Sequence, residues 1–484
     1  MWLLRQLVEV VLLLAQGLYK ALFEAPDFKS LELAVERLAQ EATRRLLVMA
    51  LEAKDRWLME HRDRRLRLVD TRPKSLLTKV GELTFTRRYY VDRATGEGRF
   101  LLDEALGLWP RQRYSPAVRE LAIELAVETS FGTAERWLER WTQGQVRISR
   151  MAIWADVQEA GSAAAEEVER IREALFEQGE VPEGGRVARE LDLEFDELFV
   201  RGRRGADGRK ERIGLKHALA YEGKETDARG RAVLKQRRVH VTVGEGANAV
   251  EQALADFARQ WDFSRVERCT VGGDGAAWIR QALEYLPHAT YRLDPFHLRR
   301  ALREGLGHDA RVYPRVCEAL AAGKPWPEVQ LLLQVALRRA RGERRRRVCE
   351  LMQYLERQWD GIVADPEWRR LGAVEAENYH VLAKRMKRRG AAWSAKGAHH
   401  MGRLRAAQAN GELERYASPA WVRRRELFGA LPRPGILRES PSAKDLEDAA
   451  AWLRARVPAL YGPHSDRHWV DVLRQLISLR SPAA

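Results

Sequence analysis

Cysteine is scarce in this chain. Among 484 residues only Cys269, Cys317 and Cys349 occur, and no two of them form a Cys-x-x-Cys pair. A disulfide framework is thereby excluded, and a reducing compartment is expected. Long apolar runs are missing as well. The N-terminal stretch WLLRQLVEVVLLLAQGLYKALF is interrupted by Arg5 and Glu9, and its longest unbroken apolar run, residues 10–15, is far below a membrane span. No small-residue cleavage pattern stands out. The stretch reads as an amphipathic helix, and the protein as cytoplasmic and nucleoid-associated, with no membrane partner. Internal repeats and long low-complexity tracts are absent. So is the Gly-Lys-Ser/Thr of a phosphate-binding loop.

What is abundant is positive charge. Lysine and arginine total 84 against 69 aspartates and glutamates, a net charge of +15. A field of that sign attracts polyanions, of which phosphate backbones are the commonest. Hydrophobic residues at 45% and charged residues at 32% describe a globular chain with more charge than average. The length implies two to four domains.

The hydrophobic period divides the chain. Residues 1–68 have apolar positions at three- and four-residue spacing and read as helices. Residues 78–102 alternate apolar and polar around ATGEG and read as a β-hairpin. Helical periodicity then returns, with Ser115 and Pro116 as a helix start. A short helix over residues 133–141, the turn TQGQ and a second helix capped by Ser149 resemble a helix-turn-helix, with Arg147 and Arg150 placed to meet DNA. An ordinary helical hairpin is the competing reading. The stretch EQGEVPEGGRVARE reads as a linker and domain boundary. After it the order β-β-β-α-β-α-β-α defines an α/β region. The expected organisation is N-terminal helices and hairpin over 1–110, a helical and possible DNA-binding domain over 111–185, the α/β core over 186–300, a basic helical insertion over 301–370, a second part of the core over 371–410, and a helical tail over 411–484.

Carboxylates concentrate in the α/β region. On the strand LDLEFDELFV, Asp192, Glu194 and Asp196 share one face while Leu191, Leu193 and Phe195 take the other. Crowded carboxylates invite a divalent cation, although a solvated acidic edge would look the same. Asp274 follows the apolar run CTVGG, at the carboxyl end of a strand, where open α/β sheets hold their ligands. Capping the next helix is its alternative duty. Glu375 and Glu377 precede a run containing Lys384, Arg385, Lys387, Arg388 and Arg389. Two carboxylates on a sheet and one on a later helix, ringed by phosphate-binding cations, suit two-metal phosphoryl transfer. A solvated helix face is the plainer reading of the basic run.

The ordered stretches TKVGELTFTRRYYVD, LDLEFDELFV, GGDGAAWI, LDPFHLRR and RGAAWSAKGAHHMGRLRA resemble the ISLre-type family of bacterial insertion-sequence transposases, relatives of the mutator-like DDE enzymes. The resemblance runs from about residue 78 to about residue 407. It implies a ribonuclease H-like catalytic core with an all-α insertion between the second Asp and the Glu. It also implies two Mg²⁺ (or Mn²⁺) ions, cleavage at the transposon ends and strand transfer by the freed 3′-hydroxyl. The partners it implies are double-stranded DNA, as terminal inverted repeats and as target, and a second copy of the chain. Carried over by motif position, the catalytic and metal-binding set is Asp196, Asp274 and Glu375. The family's third motif has Glu-Gly-His where this chain has Glu375-Ala376-Glu377, so Glu377 is a rival, and Asp192 and Glu194 are candidate helpers. Asp294 and His297 fall where relatives have a Cys-x-x-His, and are expected to support the metal site or position DNA. Capping the helix that Pro295 begins is the alternative duty of Asp294.

Two other activities fit parts of the pattern. Asp192-Leu193-Glu194 has the Asp-x-Glu form of metal-dependent exonucleases, but the late His468 and Asp471 are spaced three apart where that class needs four. A DNA-binding regulator without chemistry would need only the helix-turn-helix and the basic helices.

Overall fold

A computed structural model describes residues 2–108, 112–182, 185–204, 210–244, 246–286, 288–362, 371–387 and 390–418. The chain forms two compact units. One comprises Met1–Leu121 and Glu135–Ser149, the other Ala122–Ala134 and Arg150–Ser418.

The first unit begins with α1 (Trp2–Glu24) and α2 (Phe28–Glu60). Asp27 caps α2 by accepting the Ser30 N–H at 2.7 Å. Val10 of α1 packs on Ala42 and Met49 of α2, so one face of α1 is buried and the helix is amphipathic. Yet its Arg5–Glu24 stretch is, by length and composition, apolar enough to cross a membrane, more than the short uninterrupted run led us to expect. The difference arises because Arg5–Glu9 and Lys20–Glu24 are i,i+4 pairs confined to its ends.

Strands β1 (Leu66–Thr78) and β2 (Gly81–Asp92) pair antiparallel from Leu66↔Asp92 to Thr78↔Gly81, and β3 (Gly98–Arg99) adds a short third strand. The main reversal is therefore at residues 79–80, where Gly81 takes φ +105°, and ATGEG makes only the smaller turn. The hairpin expected over 78–102 begins twelve residues earlier than the alternation indicated, because β1 from Arg67 to Pro73 is exposed on both faces and carries no apolar–polar alternation. Leu76, Leu83 and Phe85 of the hairpin meet Leu102 of α3 (Leu101–Leu106) in a small core. Helices α4 (Pro116–Glu128) and α5 (Phe131–Trp141) follow, and the division between units falls inside both.

The second unit opens with α6 (Arg150–Arg172) and continues through β4 (Glu190–Arg204), β5 (Lys210–Tyr221), the small ribbon β6 (Lys224–Thr226) and β7 (Ala232–Leu234), and β8 (Arg238–Thr242). Next come α7 (Gly246–Ala258), β9 (Arg268–Gly273), the one-turn helices α8 (Ala277–Arg280) and α9 (Ala282–Tyr285), and β10 (Ala289–Leu293). The five long strands form one mixed sheet in the order β10-β9-β4-β5-β8. Strands β10, β9 and β4 are parallel, while β5 and β8 are antiparallel additions on the other side of β4. Leu191, Leu193 and Phe195 pack with Val250, Leu254 and Phe257 of α7 and with Ile279 and Ala282 of α8–α9. The acidic face of β4 is thereby turned to the other side, as the strand period requires.

Helices α10 (Pro295–Leu306), α11 (Val312–Ala321), α12 (Trp326–Arg339) and α13 (Gly342–Arg357) share a separate apolar core containing Leu302, Val316, Leu333, Val348 and Leu351. These helices span Pro295–Arg357, much of the stretch read from the sequence as a basic helical insertion. The chain returns to the sheet with α14 (Val374–Glu377), a π-helical turn over Asn378–Ala383, α15 (Lys384–Met386), α16 (Ala395–Ala409) and α17 (Leu413–Ala417). Gly402 of α16 lies on Val241 and Leu215, where an added Cβ would come within 2.7 Å.

Two expectations change. The second helix of the presumed helix-turn-helix is not short. α6 runs 23 residues and buries Ile153, Val157, Ala160, Ala164 and Val168. It packs on α7 and α16, and at Gly161 a Cβ would lie 2.4 Å from His400 Cβ. It is a core helix of the α/β unit. For the same reason the stretch EQGEVPEGGRVARE is no domain boundary, since α6 and β4 on either side of it belong to one unit. The tail beyond residue 418, with His468 and Asp471, lies outside the described residues.

Candidate metal centre

The register of the sheet brings three acids to one edge. Glu194 pairs with Gly272 across the parallel β4/β9 ladder, so continuing by two residues sets Asp196 beside Asp274. Leu293 pairs with Gly273, so Asp294 emerges on the next strand, its N–H donating to the Gly273 carbonyl at 2.8 Å. One turn into α10, His297 comes back to the group. Ligand atoms of Asp196, Asp274 and His297 all lie within 4.8 Å of one another. Oxygen ligands of one cation, each about 2.0–2.6 Å from it, are separated by at most about 4–5 Å. The donor set of two carboxylates and an imidazole therefore fits a divalent ion of the magnesium–manganese kind.

The electrostatics agree. Asp196 is buried, and its pKa is pushed up to about 7. Burial is the main cause; the Glu197 N–H and His297 lower it, and the charges of Glu375 and Asp274 raise it further. A carboxylate so crowded is short of positive charge. His297 is shifted upward: burial opposes its charging, but the hydrogen bond and charge of Asp294, with the charges of Asp196 and Asp274, outweigh that. His297 Nδ1 sits 3.1 Å from Asp294 Oδ2, which leaves Nε2 as the nitrogen free to face a cation. Asp294 also accepts the Phe296 N–H at 2.8 Å and caps α10. Capping and orienting His297 are thus done by its two oxygens separately.

Asp274 is held from outside its own strand. Its Oδ1 accepts the Ala276 N–H at 2.9 Å, and the Tyr354 hydroxyl of α13 donates to its carbonyl at 3.2 Å. Gln358 donates to the Gly275 carbonyl at 3.1 Å. Gly275 has φ +94°, and a Cβ there would meet the Gln358 amide at 2.4 Å, so only glycine fits. The far end of the insertion thus clamps the Asp274 loop.

Glu375, on α14, is near enough for its charge to raise Asp196, but the ligand atoms that lie within 4.8 Å of one another are those of Asp196, Asp274 and His297, without Glu375. Glu377 is turned away and takes both oxygens to Arg237 Nη1, at 2.8 and 2.9 Å. Glu194 fixes the start of α14. Its carboxylate accepts N–H groups from Gly372 (2.9 Å), Ala373 (3.0 Å) and Val374 (3.2 Å), and the Tyr221 hydroxyl as well. Burial raises its pKa, while the Tyr221 and backbone donors act the other way. Asp192 is equally buried, at 1% exposure. With Glu194 occupied by backbone donors, the pair Asp192–Glu194 does not form the open two-carboxylate site of an exonuclease.

Two buried residues went unremarked in the sequence. Asn378 donates from Nδ2 to Asp196 Oδ2, and accepts from His217 Nδ1 at 2.6 Å. His217 stands opposite Asp196 in the β4/β5 ladder, and burial lowers its pKa to about 4, so it is a neutral donor. Only the pairing register and a return of 161 residues along the chain reveal this relay.

The basic residues divide. Lys384 and Lys387 are exposed, and so is Arg150 at the start of α6. Arg147, in the other unit, is exposed and paired with Glu139 at 2.9 Å. Arg385 is 8% exposed, donates to the Ala126 carbonyl at 3.0 Å and lies over the rings of Phe131 and Trp393. It is an interior anchor, not a surface contact for DNA, because the π-helical turn before it rotates it inward. Arg388 and Arg389 lie outside the described residues.

Residues 23–425 match the profile of a family described as an uncharacterised protein family, UPF0236. A UPF0236 protein of Caldanaerobacter subterraneus subsp. tengcongensis is 26% identical over 382 residues, covering 78% of this chain and 74% of its own length. Its name joins eleven loci of that organism. A second protein from the same organism, also 26% identical over 382 residues, has a name joining four. A UPF0236 protein of Streptococcus gallolyticus is 26% identical over 352 residues, covering 69% of this chain and 72% of its own length.

Proposed function

The chain belongs to the UPF0236 family, and from the geometry of its acidic site we propose that it is a DDE transposase of an insertion sequence. The observation that carries the reading is the approach of Asp196, within β4, to Asp274, at the end of the neighbouring strand β9, with the charge of Glu375 felt at Asp196 from a later helix. Three further features support it. The sheet order, three antiparallel strands followed by two parallel ones on the far side of the first, supports the expected ribonuclease H-like core. A helical insertion with its own core lies between the second Asp and the Glu. Relatives whose single names cover eleven and four loci of one organism have the copy pattern of an element that multiplies within a genome.

In this reading Asp196, Asp274 and Glu375 hold the divalent ions, Mg²⁺ or Mn²⁺, with His297 a fourth donor. Bound metal would supply Lewis acidity at the attacking and leaving oxygens of the phosphodiester. The chain's own residues do the positioning. Asn378 and His217 fix the Asp196 carboxylate, Asp294 sets the His297 ring, Tyr354 and Gln358 hold the Asp274 loop, and Glu194 seats α14. The exposed Lys384, Lys387 and Arg150 offer salt-sensitive contacts to the phosphate backbone. The substrates are the element's terminal inverted repeats and a target duplex, handled by two copies of the chain.

The test is an incubation of the full chain with plasmid carrying the DNA on both sides of its gene, with Mg²⁺ or Mn²⁺. Nicks at the element ends and strands joined to target DNA are expected, and both should drop at least about 10³-fold in Asp274→Asn. Mononucleotide products without joined strands would favour a nuclease. Unchanged activity in Asp274→Asn would remove the carboxylates from the chemistry.

A further inference from the structure

A cavity of about 300 Å³ opens in the second unit away from the carboxylates. Its walls include the rings of Phe131, Trp154 and Trp393 and the cationic side chains of Arg203 and Lys384. Arg203 is seven residues along β4 from Asp196, roughly 23 Å at strand rise. This is therefore a separate site.

The aromatic wall is firmly built. The Trp393 N–H donates to the Arg201 carbonyl at 3.0 Å and its carbonyl accepts the Arg203 N–H at 2.9 Å. The Trp393 indole donates to the Met386 carbonyl at 3.0 Å, and Arg385 lies over the rings of both Phe131 and Trp393. These contacts pair Trp393 with β4 at the bulge between Arg201 and Arg204 and fix the rim of the cavity. Trp154, by contrast, is 38% exposed. Part of its ring is therefore open to a ligand in the cavity.

The charges specify what covers it. Arg203 and Lys384 are exposed, and among the described residues neither is paired with a carboxylate. The one acid in the wall, Glu128, is neutralised by Arg405 Nη1 at 2.6 Å. An aromatic surface next to two uncompensated cations suits a ligand with a flat ring and a phosphate. The volume is at the lower end of small-ligand sites, which run from about 300 to 1,000 Å³, and suits one such unit and no duplex.

We propose that this pocket takes a single unpaired nucleotide, its base against Trp154 and its phosphate between Arg203 and Lys384. In a protein that handles DNA, such a pocket would hold one nucleotide displaced from a strand at a distance from the cutting site. Base–aromatic stacking is tolerant of sequence, so the pocket would read unpairing and not base identity.

The experiment uses the full chain in EDTA, so that cleavage plays no part. Binding of a fluorescein-labelled single-stranded oligonucleotide, and of its duplex, is followed by anisotropy over a range of salt. Trp154→Ala should weaken single-strand binding about tenfold, and leave duplex binding, which phosphate contacts dominate, as it was. Arg203→Ala and Lys384→Ala should each lower the single-strand salt slope by about 0.7. A strand containing 5-iodo-deoxyuridine should photo-crosslink to the peptide containing Trp154. Competition by free dAMP would identify the natural occupant as a mononucleotide, and its failure to compete would identify a nucleotide within a strand. Wild-type single-strand binding by Trp154→Ala, with crosslinks elsewhere, would overturn the proposal. Crosslinking at Trp154 in a protein without metal-dependent cleavage would leave the pocket standing and remove the transposase reading alone.

Discussion

Glu375 and Glu377 stand two positions apart on the one-turn helix α14, and residues at that spacing do not share a face. Glu377 is consumed by the Arg237 guanidinium, while Glu375 faces the aspartates closely enough to raise Asp196. The two substitutions should therefore separate. Glu375→Gln is expected to abolish metal-dependent DNA cleavage. Glu377→Gln should retain it per folded molecule, while losing about 1–3 kcal/mol of stability through the weakened charged hydrogen bonds. Cleavage rates normalised against circular-dichroism melts measure both, and the reverse outcome would move the third carboxylate to Glu377. Asn378 belongs to the same scale. It touches Asp196 from behind, so Asn378→Ala should raise the metal concentration needed for half-maximal activity about 10- to 100-fold. DNA affinity measured without metal should stay the same, because the side chain is buried away from the surface.

Between residues and the whole lies the coupling of β4 to α14. Three backbone N–H groups and a tyrosine hydroxyl converge on the Glu194 carboxylate, and that convergence positions Glu375, which is far away in sequence. Glu194→Ala leaves those donors without a buried acceptor. A loss of about 2–5 kcal/mol is expected, together with cleavage lost in the surviving folded fraction, read by urea denaturation and by activity at low temperature. Full activity with normal stability would mean that the segment seats itself. Here the limits of sequence reading become physical. The strands of the α/β unit were legible because each has an apolar face with period two, and Asp274 was legible because its glycines announce a turn. Asp196 followed from the acidic face of its strand and from the motif resemblance, and Asp294 from a strand end. Strand β1 was missed because its exposed half carries no alternation, and α6 was misjudged because its buried face mixes Ile153, Val157 and Val168 with small residues and with Asp156 and Arg172, which blurs the apolar stripe. Glu194 was visible as an acid, yet its partners are backbone groups that follow Gly372 and have no signature. Asn378 and His217 are paired only by register. Contacts closed through backbone atoms or long returns of the chain leave no local pattern to read.

At the scale of the whole molecule, the stability of the α/β unit should depend on pH through buried groups remote from the metal site. His240 lies against α7, and burial, with the charge of Arg403, lowers its pKa to about 4. Burial and Arg403 likewise lower His399 to about 3. Both are therefore neutral in the folded chain where the unfolded chain, at about 6.5, would take up protons. Between pH 6.5 and 4 the unfolded state binds more protons, so stability must rise with pH across that window, by about 1.4 kcal/mol per unit for each histidine. Asp256 acts below it. Burial raises its pKa, but Arg238 and Arg403 overcome that and hold it well below the usual carboxylate range. Its contribution is full above about pH 4 and is lost as pH falls toward its folded value. Asp196 works in the opposite direction, since a raised carboxylate pKa makes stability fall as pH rises from about 4 toward 7. The net melting profile mixes these signs, and a comparison of variants isolates one of them. Relative to the parent chain, His240→Asn should flatten the rise of stability between pH 4.5 and 6.5 by about 1.4 kcal/mol per unit, whatever its effect at neutral pH. Denaturant melts of both proteins across that range give the difference. Parallel profiles would mean that His240 charges as readily folded as unfolded, and that the Asp256–arginine cluster accommodates the extra proton.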